Sequence, residues 1–303
     1  MTRRRQTRRP PITERHVPRL RRALTLVEVL VVVAIIAVMV GILLPTLASA
    51  RAEGEKARCL ANLRALGVAF SSYSVDDEQD YTTPIHPKAE STWHCDGEYE
   101  YGGKTGFGYF EHPHFIQDNR VLNRYLFTTG SGTPFELYHC PGDDGVPKLD
   151  ESRWINFEPY FVDRDWPDKT IFGITGTSYR LNNHIDFTDT LPLYYQRHFF
   201  GPYMRPVTQV PDAGATVLLE ETIAEVAKWN PGLHVEGWHR KANRFNVLFV
   251  DGHAEPIHLS GQTSTFRDDD GYWMRRSENW RMDCYPSKPV IDKPCSEGKE
   301  GCD

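Results

Sequence analysis

From Ala23 to Leu44 the chain reads ALTLVEVLVVVAIIAVMVGILL, a run whose only ionisable side chain is Glu28. As a helix rising about 1.5 Å per residue, the stretch from Leu24 to Leu44 reaches about 31 Å, close to the hydrocarbon thickness of a bilayer. A buried helix of a large soluble domain would be shorter and would show a polar face, so a membrane span is the reading. The first 22 residues carry nine arginines (Arg3, Arg4, Arg5, Arg8, Arg9, Arg15, Arg19, Arg21, Arg22) against Glu14, a charge of +8. The whole chain is 35 − 41 = −6, so everything after this arm sums to −6 − 8 = −14. A basic arm alone would also suit a nucleic-acid tail. The apolar run behind it decides otherwise, and the positive-inside rule places the N-terminus in the cytoplasm and the bulk of the chain outside it.

Two residues separate this run from a plain signal anchor. Glu28 sits about one turn inside it, where an ionisable side chain costs about 2.5 to 3.5 kcal/mol and needs a partner. No basic residue within the run can serve. A free α-amine, made by cutting the chain just before Leu24 and offered by the same or a neighbouring helix, can. Pro45 closes the run and removes a helix hydrogen bond, which predicts a kink or a local loosening.

Ala23-Leu24-Thr25-Leu26-Val27-Glu28, behind a basic leader and ahead of about twenty apolar residues, resembles the processing site of type IV prepilins and type II secretion pseudopilins. The resemblance implies that a membrane prepilin peptidase cuts between Ala23 and Leu24 and methylates the new amine. It also implies that Glu28 pairs with that amine during assembly, and that Pro45 is the helix-disrupting proline of the stem. The residue before the cut is normally glycine and is alanine here, the smallest alternative.

After Pro45 the pattern becomes amphipathic. Leu60, Leu63, Leu66, Phe70 and Tyr73 recur at three- and four-residue steps, and Arg51, Glu53, Glu55, Lys56, Arg58 and Arg64 fall mostly on other faces. Residues 24 to about 73 therefore read as one long, broken helix, with Gly54 and Gly67 weakening but not stopping it. Residues 76 to 303 hold 20 of the 23 glycines and only short apolar runs, which favours strands and loops. Phe245 to Val250, then Asp251-Gly252, then His253 to Leu259 predicts a hairpin with a two-residue turn in which both central residues take positive φ. Val217 to Leu219 predicts a further strand, and Arg120 to Leu126 a short helix or loop.

Arg120 to Leu126, Cys140-Pro141-Gly142-Asp143, Ser178-Tyr179 with Asn182, Val217 to Glu220, and Asn246 to Gly252 resemble, in order, the landmarks of large pilin-like proteins. The C-terminal signature of that group is a histidine, nine residues and Asp-Gly, in the region of residues 234–259 here. Eleven residues separate His239 from Asp251, two more than the signature, and His239 is preferred to the more distant His234. As chemistry, His239 and Asp251 have the types of a base and its orienter, but no nucleophile in a comparable setting accompanies them. Asp251 as a turn residue and His239 as a loop hydrogen-bonder is the preferred reading.

Asp268, Asp269 and Asp270 ahead of Gly271 present closely spaced oxygen ligands that suit calcium. The EF-hand spacing and its terminal glutamate are missing, so a solvated acidic loop is preferred and no cofactor is expected. His94-Cys95 and His112-Pro113-His114 lack a second ligand pair at zinc-finger spacing. Gly102-Gly103-Lys104-Thr105 is not a phosphate loop, because Glu98 replaces its first glycine. The acidic exported part argues against nucleic acid. Six cysteines, Cys59, Cys95, Cys140, Cys284, Cys295 and Cys302, lie in or after the stem, where export permits bridges; fifteen pairings are open, and the C-terminal cluster is favoured for one.

The expected fold is thus α+β and pilin-like, with a long N-terminal transmembrane helix packed on an antiparallel β-sheet and an enlarged, loop-rich head. The expected domains are a leader over 1–23, a membrane helix over 24–44, its amphipathic continuation over 45–75 and an extracytoplasmic head over 76–303. The expected role is non-enzymatic: a single-pass inner-membrane subunit of a type II secretion pseudopilus or type IV pilus-like filament. Its partners would be prepilin peptidase, other pilin or pseudopilin subunits and the inner-membrane assembly platform. A stand-alone tethered extracytoplasmic binder, for glycans among other ligands, is the alternative.

Overall fold

The computed structural model describes residues 25–84, 99, 101–106, 120–126, 135–146, 168–186, 198–229, 234–259, 265–267, 273–288 and 290–291. The chain divides into two compact units, Met1–Ser49 and Ala50–Asp303.

Helix α1, Leu26–Asp76, is 51 residues long, and Pro45 lies inside it. The helix runs on past the proline, a residue without an N–H to give to the ladder. Just beyond the proline, Thr46 Oγ1 donates to Leu43 O at 2.8 Å and Ser49 Oγ to Pro45 O at 3.1 Å. In the first unit every described residue is exposed, and the most apolar window of α1 has a mean hydropathy of 3.1. Such a surface has no stable place in water, and its length and composition suit a membrane.

In the second unit the remainder of α1 buries Cys59, Asn62, Leu63, Leu66, Gly67, Phe70 and Tyr73, with Leu60 partly covered. These positions follow the three- and four-residue rhythm of one helix face, as the sequence pattern requires. Next come two short helices, α2 at Asn123–Leu126 and α3 at Ile171–Thr175. Thr170 caps α3 by accepting from Gly173 N, and Gly176 closes it at φ 87°. The buried Asp143 accepts from the free N–H groups of Ile171 (3.0 Å) and Phe172 (2.9 Å) in its first turn.

Strands β1 (Tyr179–Leu181), β2 (Ile185–Asp186), β3 (His198–Phe199) and β4 (Val217–Glu221) precede helix α4 (Ile223–Trp229). Then follow β5 (Arg244–Phe249), β6 (Ala254–His258), β7 (Thr265–Arg267), β8 (Trp273–Arg275) and β9 (Val290–Ile291). The main sheet is antiparallel with order β1-β4-β5-β6; β2-β3-β9 and β7-β8 form smaller sheets. The arrangement is α+β, with a long N-terminal apolar helix and a four-stranded antiparallel sheet.

All five residues of β4 are buried, so both faces of the sheet are covered there. On one side Gly67 of α1 comes so close that a Cβ on it would lie 2.9 Å from Leu248 Cδ1 and 3.1 Å from the Gly252 backbone. Arg64 of α1 donates to Ala254 O at 3.0 Å, fastening the helix to β6. On the other side lies α4, whose Lys228 binds Glu220 of β4.

The β5–β6 hairpin is where the sequence places it, but its turn is of another kind. Gly252 N–H donates to Phe249 O at 3.0 Å and Phe249 N–H to His253 O at 2.9 Å, so Val250, Asp251 and Gly252 form a three-residue loop. Of these only Gly252 has positive φ, at 90°. This is a tight turn followed by a left-handed glycine, the common three-residue hairpin, and it corrects the two-residue turn expected from Asp-Gly. The preceding loop selects it: Val250 N–H bonds Thr216 O and Asp251 N–H bonds Ala213 O, ties that a tighter turn would not reach.

Candidate functional site

The stem presents its chemistry at its first turn. Thr25 precedes the helix, and its Oγ1 accepts from Glu28 N–H at 3.2 Å. In return Glu28 Oε2 accepts from Thr25 N–H at 2.8 Å and from Thr25 Oγ1 at 2.9 Å. This is a reciprocal capping box, in which two of the helix's orphan donors are satisfied by side chains. Thr25-x-x-Glu28 is the capping-box pattern and was legible in the sequence, yet it is easily passed over when Glu28 is weighed only as a charge. Both neutral donors fall on a single carboxylate oxygen, so the local bonds hold Glu28 in place without supplying a countercharge. Ala23 and Leu24 lie outside the described residues, and Pro45 sits within α1 as already given.

The second constellation is buried where α1, β4 and two loops meet. Cys59 of α1 is disulfide-bonded to Cys140, with Cα atoms 5.1 Å apart and a sequence separation of 81. His239 Nε2 stands 2.8 Å from Glu221 Oε1 and 3.5 Å from Cys140 Sγ, and Cys140 Sγ is 3.7 Å from the same carboxylate oxygen. Asn246 of β5 holds Glu221 by donating its backbone N–H to Oε2 at 3.1 Å and its Nδ2 to Oε1 at 2.9 Å.

Each member is placed by local structure. Glu220 and Glu221 follow one another in β4, so the pleat sends them to opposite faces of the sheet. Glu221 turns to the α1 side. The segment from Val235 to Asn243 is folded back on itself: Asn243 N–H donates to Val235 O at 2.7 Å, Val235 N–H to Asn243 Oδ1 at 2.8 Å, and Gly237 N–H to Lys241 O at 3.0 Å. Trp238 anchors it through Nε1 to Gly145 O at 2.9 Å. The Cys140–Gly145 turn packs on it so closely that a Cβ at Gly142 would meet Trp238 O at 2.9 Å and His239 Cε1 at 3.1 Å.

His239 and Asp251, paired in the sequence reading as a conceivable base and orienter, have different partners. Asp251 Oδ1 accepts from His253 N–H at 3.0 Å and lies 2.6 Å from His253 Nδ1, on the exposed hairpin turn. Asp251 is a turn residue and His239 a loop residue with a buried hydrogen bond, as preferred. The carboxylate that His239 faces, Glu221, was missed. Nothing in its spacing from His239 marks it, because the contact joins strand β4 to a loop that returns only after α4. Asp268, Asp269 and Asp270 lie outside the described residues, as do Cys95, Cys295, Cys302, His94, His112 and His114.

Glu220, on the other face, has a different environment. Lys228 binds both Glu220 and Glu225, and Arg180 binds Glu225 while standing 3.5 Å from Glu220. Burial pushes the Glu220 carboxyl above its ordinary range, against the pull of Lys228. Nearby, burial and the charges of Arg275 and Lys228 push His184 down to about 3. Burial pushes the thiol of Cys284, the one free cysteine among the described residues, up to about 12, which keeps it protonated and unreactive.

Compared with known families, residues 18–44 match the prokaryotic N-terminal methylation motif. The match covers Arg19, Arg21 and Arg22 of the basic arm, the junction of Ala23 and Leu24, Thr25, Glu28 and the whole apolar run to Leu44. No curated protein and no solved structure matches the chain. The chain thus carries the processing motif of type IV pilin-like proteins. The motif implies processing by prepilin peptidase, and with the apolar helix it supports a single-pass, membrane-anchored protein.

Proposed function

We propose that the chain is a non-enzymatic, pilin-like structural subunit of a type II secretion pseudopilus or a type IV pilus-like filament. The methylation motif over residues 18–44, seated on an apolar helix with Glu28 in its first turn, carries this reading. The leader stays in the cytoplasm, prepilin peptidase cuts between Ala23 and Leu24, and the new amine is methylated. That amine, on the same or a neighbouring stem, gives Glu28 the countercharge that Thr25 does not. Apolar stems then associate side by side, while the head projects from the outer side of the inner membrane and reaches the assembly platform through its stem. The buried His239 and the Asp251-Gly252 turn act here as structural elements of the head, in the manner of a histidine-to-Asp-Gly signature with a longer loop.

Intact mass and N-terminal sequencing of membrane-extracted protein test this. A methylated Leu24 at the N-terminus, with stem-to-stem cross-links in membranes, is the expected result. A chain that still begins at Met1 overturns the reading. A chain cut at Leu24 that gives no cross-links overturns the assembly step and favours a tethered binder.

A further inference from the structure

We infer that Cys59, Cys140, Glu221 and His239 form a zinc site in the thiol form of the chain, with the disulfide as its alternative, metal-free state. One ligand atom from each of the four lies within 4.8 Å of all the others. Zinc holds sulfur at about 2.3 Å and nitrogen or oxygen at about 2.0 to 2.2 Å, so its ligands stand about 3.3 to 3.8 Å apart in a tetrahedron. His239 Nε2 to Cys140 Sγ, 3.5 Å, and Cys140 Sγ to Glu221 Oε1, 3.7 Å, already have that spacing. The 2.8 Å contact of Nε2 with Oε1 is a hydrogen bond that lengthens once a metal replaces its proton. The sulfur–sulfur bond is incompatible with an ion and must be absent for one to bind.

The surroundings are those of a closed structural site. Cys59, Cys140 and Glu221 have no exposed surface and His239 has 4%. The ligands come from a helix, a strand and two tied loops, so their directions are set before an ion arrives. Asn246 orients the carboxylate through both of its oxygens, the outer-shell support that metal-bound carboxylates need. Two thiolates, an imidazole and one carboxylate favour zinc over calcium or magnesium, which take oxygen ligands.

The chemistry balances without redox change. Two thiols lose their protons to solvent and bind one Zn²⁺, with the proton on Nε2 of the neutral imidazole moving to Nδ1. Forming the bridge instead passes two electrons and two protons to a disulfide oxidant, each of whose sulfurs leaves as a thiol. A chain is made with free thiols, so the thiol form precedes the bridge, and in a metal-loaded head oxidation replaces one cross-link between α1 and the Cys140 loop by another. The ion fastens the stem helix to β4 and the His239 loop as well, contacts the disulfide does not join covalently.

The test uses the full chain in detergent, with Cys95, Cys295 and Cys302 replaced by serine and Cys284 by alanine. It is reduced with a phosphine in the absence of oxygen and titrated with Co²⁺. The expected result is one cobalt per chain, with a thiolate-to-cobalt charge-transfer band, tetrahedral ligand-field bands, and displacement by Zn²⁺ that raises the thermal midpoint. The disulfide form shows none of these. Loss of His239 or Glu221 as alanine weakens binding by more than the roughly 10- to 100-fold that an outer-shell change costs. His239→Cys keeps the site and strengthens the charge-transfer band by adding a third thiolate. A reduced, folded chain that gives no charge-transfer band overturns the inference, as does a band that His239→Cys leaves unchanged.

Discussion

The two halves of helix α1 have the same backbone and opposite surroundings. From Leu26 to Ser49 all residues are exposed, and they are almost all apolar; from Ala50 to Asp76 one stripe is buried and the rest is mostly charged or small, with Val68 and Val75 exposed. In the first half identity matters at one position, Glu28, because it alone carries charge in a run that is otherwise interchangeable. In the second half the exact residue matters along a whole face, because each side chain meets a particular partner: Cys59 meets Cys140, Asn62 the carbonyls of Glu136 and His139, and Gly67 the hairpin turn. A helix that meets a fluid environment is specified by composition, and one that meets a packed core by shape.

Substitutions along α1 should separate the halves, starting with the largest effect. Glu28→Ala abolishes filament cross-links and leaves cleavage before Leu24 intact; loss of both together would show that Glu28 serves recognition by the peptidase instead of assembly. Replacing Cys59 and Cys140 together by serine lowers the stability of the head by about 2 to 5 kcal/mol, the usual cost of removing a native bridge. Leu66→Ala, at a site with no exposed surface, costs about 2 to 5 kcal/mol. Leu30→Ala, in the exposed first half, leaves head stability within about 0.5 kcal/mol. Thermal unfolding in detergent, followed by tryptophan fluorescence, reads all three, since all seven tryptophans lie in the head.

Gly67→Ala should be smaller and opposite in sign to helix propensity. Alanine favours a helix over glycine by about 1 kcal/mol, so a neutral surface would make the variant more stable. The approach of Gly252 backbone at 3.1 Å makes it less stable here, whereas Gly54→Ala, with open space around its Cβ position, stabilises. A Gly67→Ala protein with a raised midpoint would break the contrast between the halves.

The smallest effect at neutral pH is that of His184, and it grows on acidification. Its folded-state pKa of about 3 is below the ordinary 6.5, so between these values the unfolded chain binds a proton that the folded chain refuses. Stability from this residue is present above pH 6.5 and is lost as pH falls toward 3. His184→Asn, which cannot take a charge, should flatten that limb of the midpoint-versus-pH curve; an unchanged slope would assign the limb to other groups.

Much of the molecule was legible before any coordinates. The membrane run, the amphipathic continuation, the β5–β6 hairpin, the strand at Val217 and the α+β class all follow from patterns with a fixed period or a fixed turn residue. Pro45 does not end α1, because losing one hydrogen bond in a helix of 51 residues is not enough to stop it. The turn type was misread, because ties to Ala213 and Thr216 choose between turns that Asp-Gly alone allows. The cysteine pairing and the Glu221–His239 contact were out of reach for one reason: each joins segments with no shared periodicity, 81 residues apart for the cysteines.

By itself the sequence determined where a helix long and apolar enough to cross a membrane runs, which end carries the processing motif and which helix face turns inward, since these depend on local polarity and on distances along one chain. Tertiary structure alone decided that two adjacent glutamates in β4 have different fates. The pleat sends Glu220 to the lysine and arginine of one side, and Glu221 to the histidine, asparagine and cysteine sulfurs of the other. A buried carboxylate takes its character from what is packed against it, and only folding brings those partners together.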